Sequence, residues 1–183
     1  MPKKSKKNTP SGSTGGEQLA AVRVLPYLYL GPRTAVRAAF CSAQGITHVL
    51  SIGSTPAEII PSITYERLSL VDSASSPIAE ASSKANAIIL AIAKSGGKIL
   101  VHCSAAVSRS PTLVALYLME HSEMSLHQAL RSLVLARPSI CPNPGFFAQL
   151  KDAEVALRGT CSVEVDSLPL KREVRVALFQ LEE

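Results

Sequence analysis

The chain reads as an α/β domain, a central mixed, partly parallel sheet flanked by helices. Three observations predict it. Strand-like and helix-like segments alternate along the sequence. Two of the strand segments, Ile46–Ile52 and Lys98–His102, are short apolar runs of the kind buried on both faces of a sheet. The 183 residues, 46% of them hydrophobic, suffice for one core and would make two unusually small ones.

The elements follow in order. Residues 1–17 are Lys, Ser, Gly, Thr and Pro with almost no apolar residue, the composition of a disordered tail. Val22 to Leu30 reads as a strand that Pro26 bends or pushes to an edge. Arg33 to Gln44 carries Val36, Ala39, Phe40 and Ala43 at helical spacing and stops at Gly45. Ile46–Ile52 is a β-branched strand, and Ile63–Val71 a further one. Asp72 to Pro77 is a loop of small polar residues. Ile78 to Lys94 is a long helix stopped by Ser95-Gly96-Gly97. After the strand Lys98–His102, Pro111 to Glu120 begins a helix, since proline is tolerated in a first turn. Ser125 and Gln128 form a capping-box pattern that opens a helix to about Arg137, which Pro138 ends. Pro142 and Pro144 mark a loop, and Phe146 to Leu157 is a last helix. The folded unit is therefore bounded at 18–158, with 159–183 as a short, mixed tail.

Charge is concentrated rather than spread. Residues 1–16 hold four of the nineteen Lys+Arg and no acid, leaving fifteen basic against fourteen acidic residues elsewhere. The excess belongs to the tail, as a solvated run or as a nuclear-targeting or acidic-surface contact, so nucleic acid is not an expected partner. No stretch approaches the roughly 18 apolar residues of a membrane span. No apolar run follows the charged start, as a secretory signal requires. The expectation is a cytoplasmic or nuclear protein with no membrane contact. The four cysteines are widely spaced with no CxxC pair, so neither structural zinc nor another metal is expected.

One of these cysteines stands apart. The strand ending at His102 runs into Cys103-Ser104-Ala105-Ala106-Val107-Ser108-Arg109, then Ser110 and a helix. A short loop of small residues between a strand and a helix N-terminus can curl its N–H groups inward as an anion nest. Arg109 adds a planar fork that matches two oxygens of a phosphate group. Cys103 at the bottom of that electropositive cup is placed as a thiolate nucleophile. No other cysteine has an arginine six residues on.

His102-Cys103-Ser-Ala-Ala-Val-Ser-Arg109-Ser110 resembles the HCx5R[ST] signature of cysteine-dependent protein phosphatases. Val24-Leu-Pro-Tyr-Leu-Tyr-Leu-Gly31, Gly45-Ile-Thr-His-Val-Leu50, Ser110-Pro-Thr-Leu-Val-Ala-Leu-Tyr-Leu-Met119 and Arg137-Pro-Ser-Ile-Cys-Pro-Asn-Pro-Gly-Phe146 are similar to further segments of small, atypical dual-specificity phosphatases. The resemblance covers about residues 22–157. It implies a protein tyrosine phosphatase-like fold and hydrolysis of phosphotyrosine and phosphoserine/threonine in proteins through a phosphocysteine, without a metal or other cofactor. It also implies a general acid about thirty residues before the cysteine. Of Glu66, Asp72 and Glu80, Asp72 occupies that place, at the start of a loop that can carry an acid over a pocket. Ser110 would stabilise the departing thiolate, or cap the helix. The resemblance places phosphate on residues Ser104 to Arg109. His102 orders the loop, Ser108 braces it, and Asn143 fixes nearby backbone. Ala106 departs from the family, where glycine is common, and this predicts a slower enzyme.

The rival readings are a catalytically weak phosphoprotein-binding module and a phosphatase of phosphoinositides or RNA 5′ ends. A rhodanese-like sulfur transferase or an arsenate reductase fits the Cys-to-Arg spacing poorly. The loop has no lysine or second arginine, which favours a singly phosphorylated protein side chain over a highly charged lipid headgroup.

Overall fold

The computed structural model of the protein describes residues 21–180. The tail proposed for residues 1–17 lies outside them. Five strands form one sheet: β1 (Val22–Leu25), β2 (Leu28–Pro32), β3 (His48–Ile52), β4 (Thr64–Leu68) and β5 (Ile99–Cys103), in the order β1-β2-β5-β3-β4. β1 is antiparallel to β2, and every other pair is parallel. The mixed, partly parallel sheet expected from the sequence is therefore present. β5 lies at its centre, between β2 and β3.

Alternation along the strands feeds two cores, because successive side chains point to opposite faces. Leu28, Leu30, Leu50, Ile52, Ile99 and Val101 face a large core under most of the helices. Tyr29, Val49 and Leu100 face a smaller one closed by α1 (Ala38–Gln44). The large core is covered by α2 (Ala79–Lys94), α3 (Arg109–His121), α4 (Leu126–Ala136) and α5 (Pro144–Arg158). α3 is its axis, with every residue from Ser110 to Met119 buried.

Several boundaries differ from the sequence reading. Val22–Leu30 is a hairpin, with Pro26 in its turn. The expected helix Arg33–Gln44 is split into a 3-10 turn (Arg33–Ala35) and α1, because Val36 and Arg37 are extended. The split lets Val36 drop into the smaller core while the Arg33 N–H donates to the Ser104 carbonyl (3.2 Å). The Ile63–Val71 segment keeps strand pairing only over Thr64–Leu68. α5 begins at Pro144, whose fixed φ suits a first helical position, and is capped by Asn143.

Beyond Gly159, where the sequence suggests only a tail, the chain returns to the domain and forms α6 (Arg172–Gln180). Phe179 is fully buried, its ring 5.4 Å from that of His127 on α4. Arg131 of α4 donates to the Phe179 carbonyl (3.0 Å). Buried Glu154 of α5 accepts from the Leu126 N–H (2.7 Å) and from Ser162 (2.8 Å), so one carboxylate joins α4, α5 and the C-terminal segment. Burial alone would raise the Glu154 pKa. The hydrogen bonds from Ser162, Leu126 and Cys161 outweigh it and hold the carboxyl below the ordinary range.

Candidate active site

Parallel strands bring their C-terminal ends to one edge, where open α/β sheets bind ligands. Pro32 lies opposite Cys103 there, and Gly53 and Leu68 follow or end the neighbouring strands. Residues 104–108 leave this edge between β5 and α3. Their carbonyls are all turned outward and engaged. Ser104 O accepts from Arg33 N, Val107 O from Cys141 N (2.8 Å), and Ser108 O from Thr112 N and Oγ1. Ala105 O and Ala106 O accept from Nη2 (3.0 Å) and Nε (3.4 Å) of Arg137. The N–H groups of residues 104–109 have no protein acceptor among the described residues. Peptide planarity then turns these donors toward the loop interior, over Cys103.

Ala106 is the loop's irregular residue. Its φ is +53° and its methyl is fully buried in the large core. A left-handed alanine costs about 1–2 kcal/mol, and here the Arg137 guanidinium on the Ala106 carbonyl secures it. The sequence shows Arg137 as the end of a helix and the start of a family-like segment, with no role of its own. Burial works against its charge and Arg172 on α6 repels it, while the Cys103 sulfur acts in the opposite direction.

Arg109 is fixed by one strong contact, Nη1 to the Gly53 carbonyl at 2.6 Å. Gly53 has φ +56°, and a Cβ there would strike the Leu70 carbonyl and come within 2.6 Å of Arg109 Nη1. The glycine at the end of β3 is thus what admits the guanidinium. Arg109 Nε has no hydrogen-bond partner among the described residues, and it lies 3.7 Å from Asp72 Oδ2.

Asp72 stands at the mouth of this cup. Its Oδ1 accepts from Ser108 Oγ (2.7 Å) and Asn143 Nδ2 (2.8 Å), and Ser108 Oγ in turn accepts from Asn143 N (3.1 Å). Ser108 therefore braces more than the loop: it ties the loop to the acid. Two α5 residues hold the acid's own segment. A Cβ on Gly145 would overlap Ala74, and Gln149 binds both Ser76 O and Ile78 N. Glu66 sits on edge strand β4, and Glu80 pairs with Lys84 on α2 (2.6 Å). Asp72 alone of the three contacts the loop.

His102 is fully buried between Ser51 Oγ (2.8 Å from Nε2) and the Cys103 carbonyl (3.2 Å from Nδ1). A carbonyl only accepts, so Nδ1 carries the proton and Nε2 accepts from Ser51. Burial pushes the His102 pKa down, opposed by the Cys103 carbonyl and aided by positive Arg33. The ring is a neutral strut. Ser110 is the second residue of α3 rather than its N-cap, a position Ser108 holds. Its buried hydroxyl has no partner among the described residues.

The arrangement can hold a tetrahedral oxyanion over a sulfur, with a guanidinium to one side and a carboxyl at the rim. Among the described residues no group of three or more His, Cys, Asp or Glu could hold a metal ion. No described helix is long and apolar enough to cross a membrane. Residues 28–156 match the family described as "Dual specificity phosphatase, catalytic domain". The chain is 35% identical over 138 residues to mouse (Mus musculus) dual specificity protein phosphatase 15, covering 71% of this chain and 56% of that protein. It is 37% identical over 131 residues to dual specificity protein phosphatase 22-B of Danio rerio, covering 71% and 72%. A crystal structure of a mouse putative dual specificity phosphatase complexed with zinc tungstate superposes with a TM-score of 0.72. That pair is 29% identical and covers 81% of this chain and 94% of that one. The chain thus spans little more than half the length of the mouse relative. Fold, loop and similarity agree that this chain belongs to the dual specificity phosphatase family.

Proposed function

We propose that the protein hydrolyses phosphate monoesters of tyrosine, serine and threonine in proteins through a phosphocysteine on Cys103. The observation that carries this reading is the run of inward N–H groups from 104 to 109 around a strand-end cysteine. Phosphate oxygens would sit on those donors and on Arg109, whose Nε has no hydrogen-bond partner among the described residues. The Cys103 thiolate attacks phosphorus; a sulfur–phosphorus bond forms as the ester oxygen–phosphorus bond breaks. The leaving oxygen takes the proton of Asp72, carried on Oδ2, since Oδ1 already accepts two bonds. Water then attacks the phosphocysteine, Asp72 takes its proton, and the thiolate leaves with a hydrogen bond from the partnerless Ser110 hydroxyl. The absence of a lysine or second arginine from residues 104–108 favours a single phosphate. The test is turnover of an aryl phosphate and of phosphopeptides, with competitive inhibition by vanadate and full activity in a chelator. No turnover, or loss of turnover with the chelator, overturns the reading.

Asp72→Asn is expected to lower turnover by about two to four orders of magnitude, the usual worth of a positioned acid. The loss should shrink for esters whose leaving groups depart well unprotonated. Equal losses across a leaving-group series would mark a structural role instead.

Ala106→Gly is expected to raise kcat on an aryl phosphate by roughly two- to fivefold. Glycine enters the left-handed region without the roughly 1 kcal/mol that alanine incurs, so the closed loop is populated more fully. An unchanged or lower kcat would show that the Arg137 bonds already hold the alanine loop shut.

A further inference from the structure

We infer that the C-terminal helix α6 positions the phosphate-binding loop, and that Arg175 is its positioning residue. The inference rests on the phosphatase reading above but concerns a segment that the family match, ending at residue 156, does not include.

The path is a short series of hydrogen bonds. Residues Arg137 to Cys141 run behind the loop and hold three of its carbonyls: Ala105 and Ala106 through the Arg137 side chain, Val107 through the Cys141 N–H. The segment itself is a single turn, closed by Ile140 N on Arg137 O (3.0 Å). It contains Pro138, which supplies no N–H of its own. On its far side it is gripped by Arg175, whose Nη2 donates to the Pro138 carbonyl at 2.8 Å. The same guanidinium donates through Nη1 to the carbonyls of Pro169 and Leu170 (3.2 Å to the latter).

Arg175 is nearly fully buried although it has no carboxylate partner among these bonds. A desolvated guanidinium is costly unless its donors are used. Here carbonyls from two separated segments share Nη1 and Nη2, while Nε has no hydrogen-bond partner among the described residues, and that is the pattern of a clamp rather than of a solvated charge. α6 is itself secured to α4 by Arg131 and Phe179, so Arg175 is held from a rigid base. Arg172, on the first turn of the same helix, adds positive charge near Arg137. Loosening Arg175 would free the Pro138 turn, then the Arg137 fork, and with it the carbonyls that turn the loop amides inward. Amides misplaced by even about 1 Å hold a transition state far less well.

The experiment uses the full chain with Arg175→Ala, Arg175→Lys and, as a control, Val163→Ala, a buried apolar site in the same C-terminal segment that makes no bond to the clamp. Each variant is read by kcat/KM on an aryl phosphate, by calorimetric binding of vanadate, and by thermal midpoint. Arg175→Ala is expected to lose roughly tenfold in both kcat/KM and vanadate affinity. Arg175→Lys, which can still reach one carbonyl, should recover part of both. Val163→Ala should lower the midpoint and leave both unchanged. The inference is overturned if Arg175→Ala keeps vanadate affinity, or if Val163→Ala loses it in proportion to its midpoint. Should Arg175→Ala not fold, Arg175→Lys is judged by the same two readouts against the control. Vanadate binding also separates this inference from the phosphatase reading: a wild type that binds vanadate but turns over no ester sinks the latter and leaves the clamp testable.

Discussion

Cys103→Ser is expected to lose turnover by about 10⁴-fold or more, the scale on which removal of a covalent nucleophile acts. The serine hydroxyl is a far weaker nucleophile at neutral pH, and among the described residues no base is hydrogen-bonded to this side chain: the His102 ring is engaged by Ser51 and the Cys103 carbonyl. The cup itself survives, because its amides are aimed by carbonyl contacts behind the loop and not by the sulfur. A fluorescent phosphopeptide should therefore bind the variant at least as tightly as it binds wild type. Residual turnover above about one part in a hundred would remove Cys103 from the chemistry. Loss of peptide binding would show instead that the sulfur shapes the cup.

Gly53→Ala is the second large effect. The position lies outside the loop, yet the added Cβ would meet both the Leu70 carbonyl and Arg109 Nη1, and the backbone there is left-handed. The Leu70 carbonyl is backbone and does not yield cheaply, whereas the guanidinium is the far end of a flexible side chain, so it is Arg109 that must leave its place. Activity is expected to fall by about 10²-fold or more, with vanadate affinity falling in parallel. Arg109→Lys should give a similar loss without the backbone strain, because a point charge cannot span two phosphate oxygens. If Gly53→Ala lowers stability while Arg109→Lys alone lowers activity, the glycine serves the fold and not the guanidinium.

The sequence carried the centre of this site and little of its frame. A cysteine, an arginine six residues on, and an apolar strand before them are local, so the loop between β5 and α3 was legible. Asp72 was singled out by its place at the start of a loop and by the resemblance, and the structure sets it in hydrogen-bond contact with Ser108 of the loop. The roles of Arg137, Gly53, Gly145 and Gln149 were not legible, because they depend on contacts 31 to 73 positions away in the chain that no local pattern encodes. Gly145 looks like a turn residue beside two prolines; only the approach of Ala74 makes it necessary. α6 escaped for another reason. Its apolar residues, Val174 and the run Val176 to Phe179, are few and crowd one end of a nine-residue segment, and its buried arginine reads as a surface charge.

One hydroxyl carries a thermodynamic consequence. Ser108 belongs to the anion-binding loop, and its Oγ is also bonded to Asp72 and to the backbone of Asn143. The position of the acid and the occupancy of the cup are thus two linked equilibria that share one atom. Reciprocity then applies: whatever free energy a bound oxyanion contributes to seating Asp72, a seated Asp72 returns to the binding of that oxyanion. On the proposed chemistry, affinity for phosphate and readiness to deliver a proton are for this reason expected not to be separately adjustable. A change that tightens product would hold the acid in place longer, and one that frees the acid would let phosphate go.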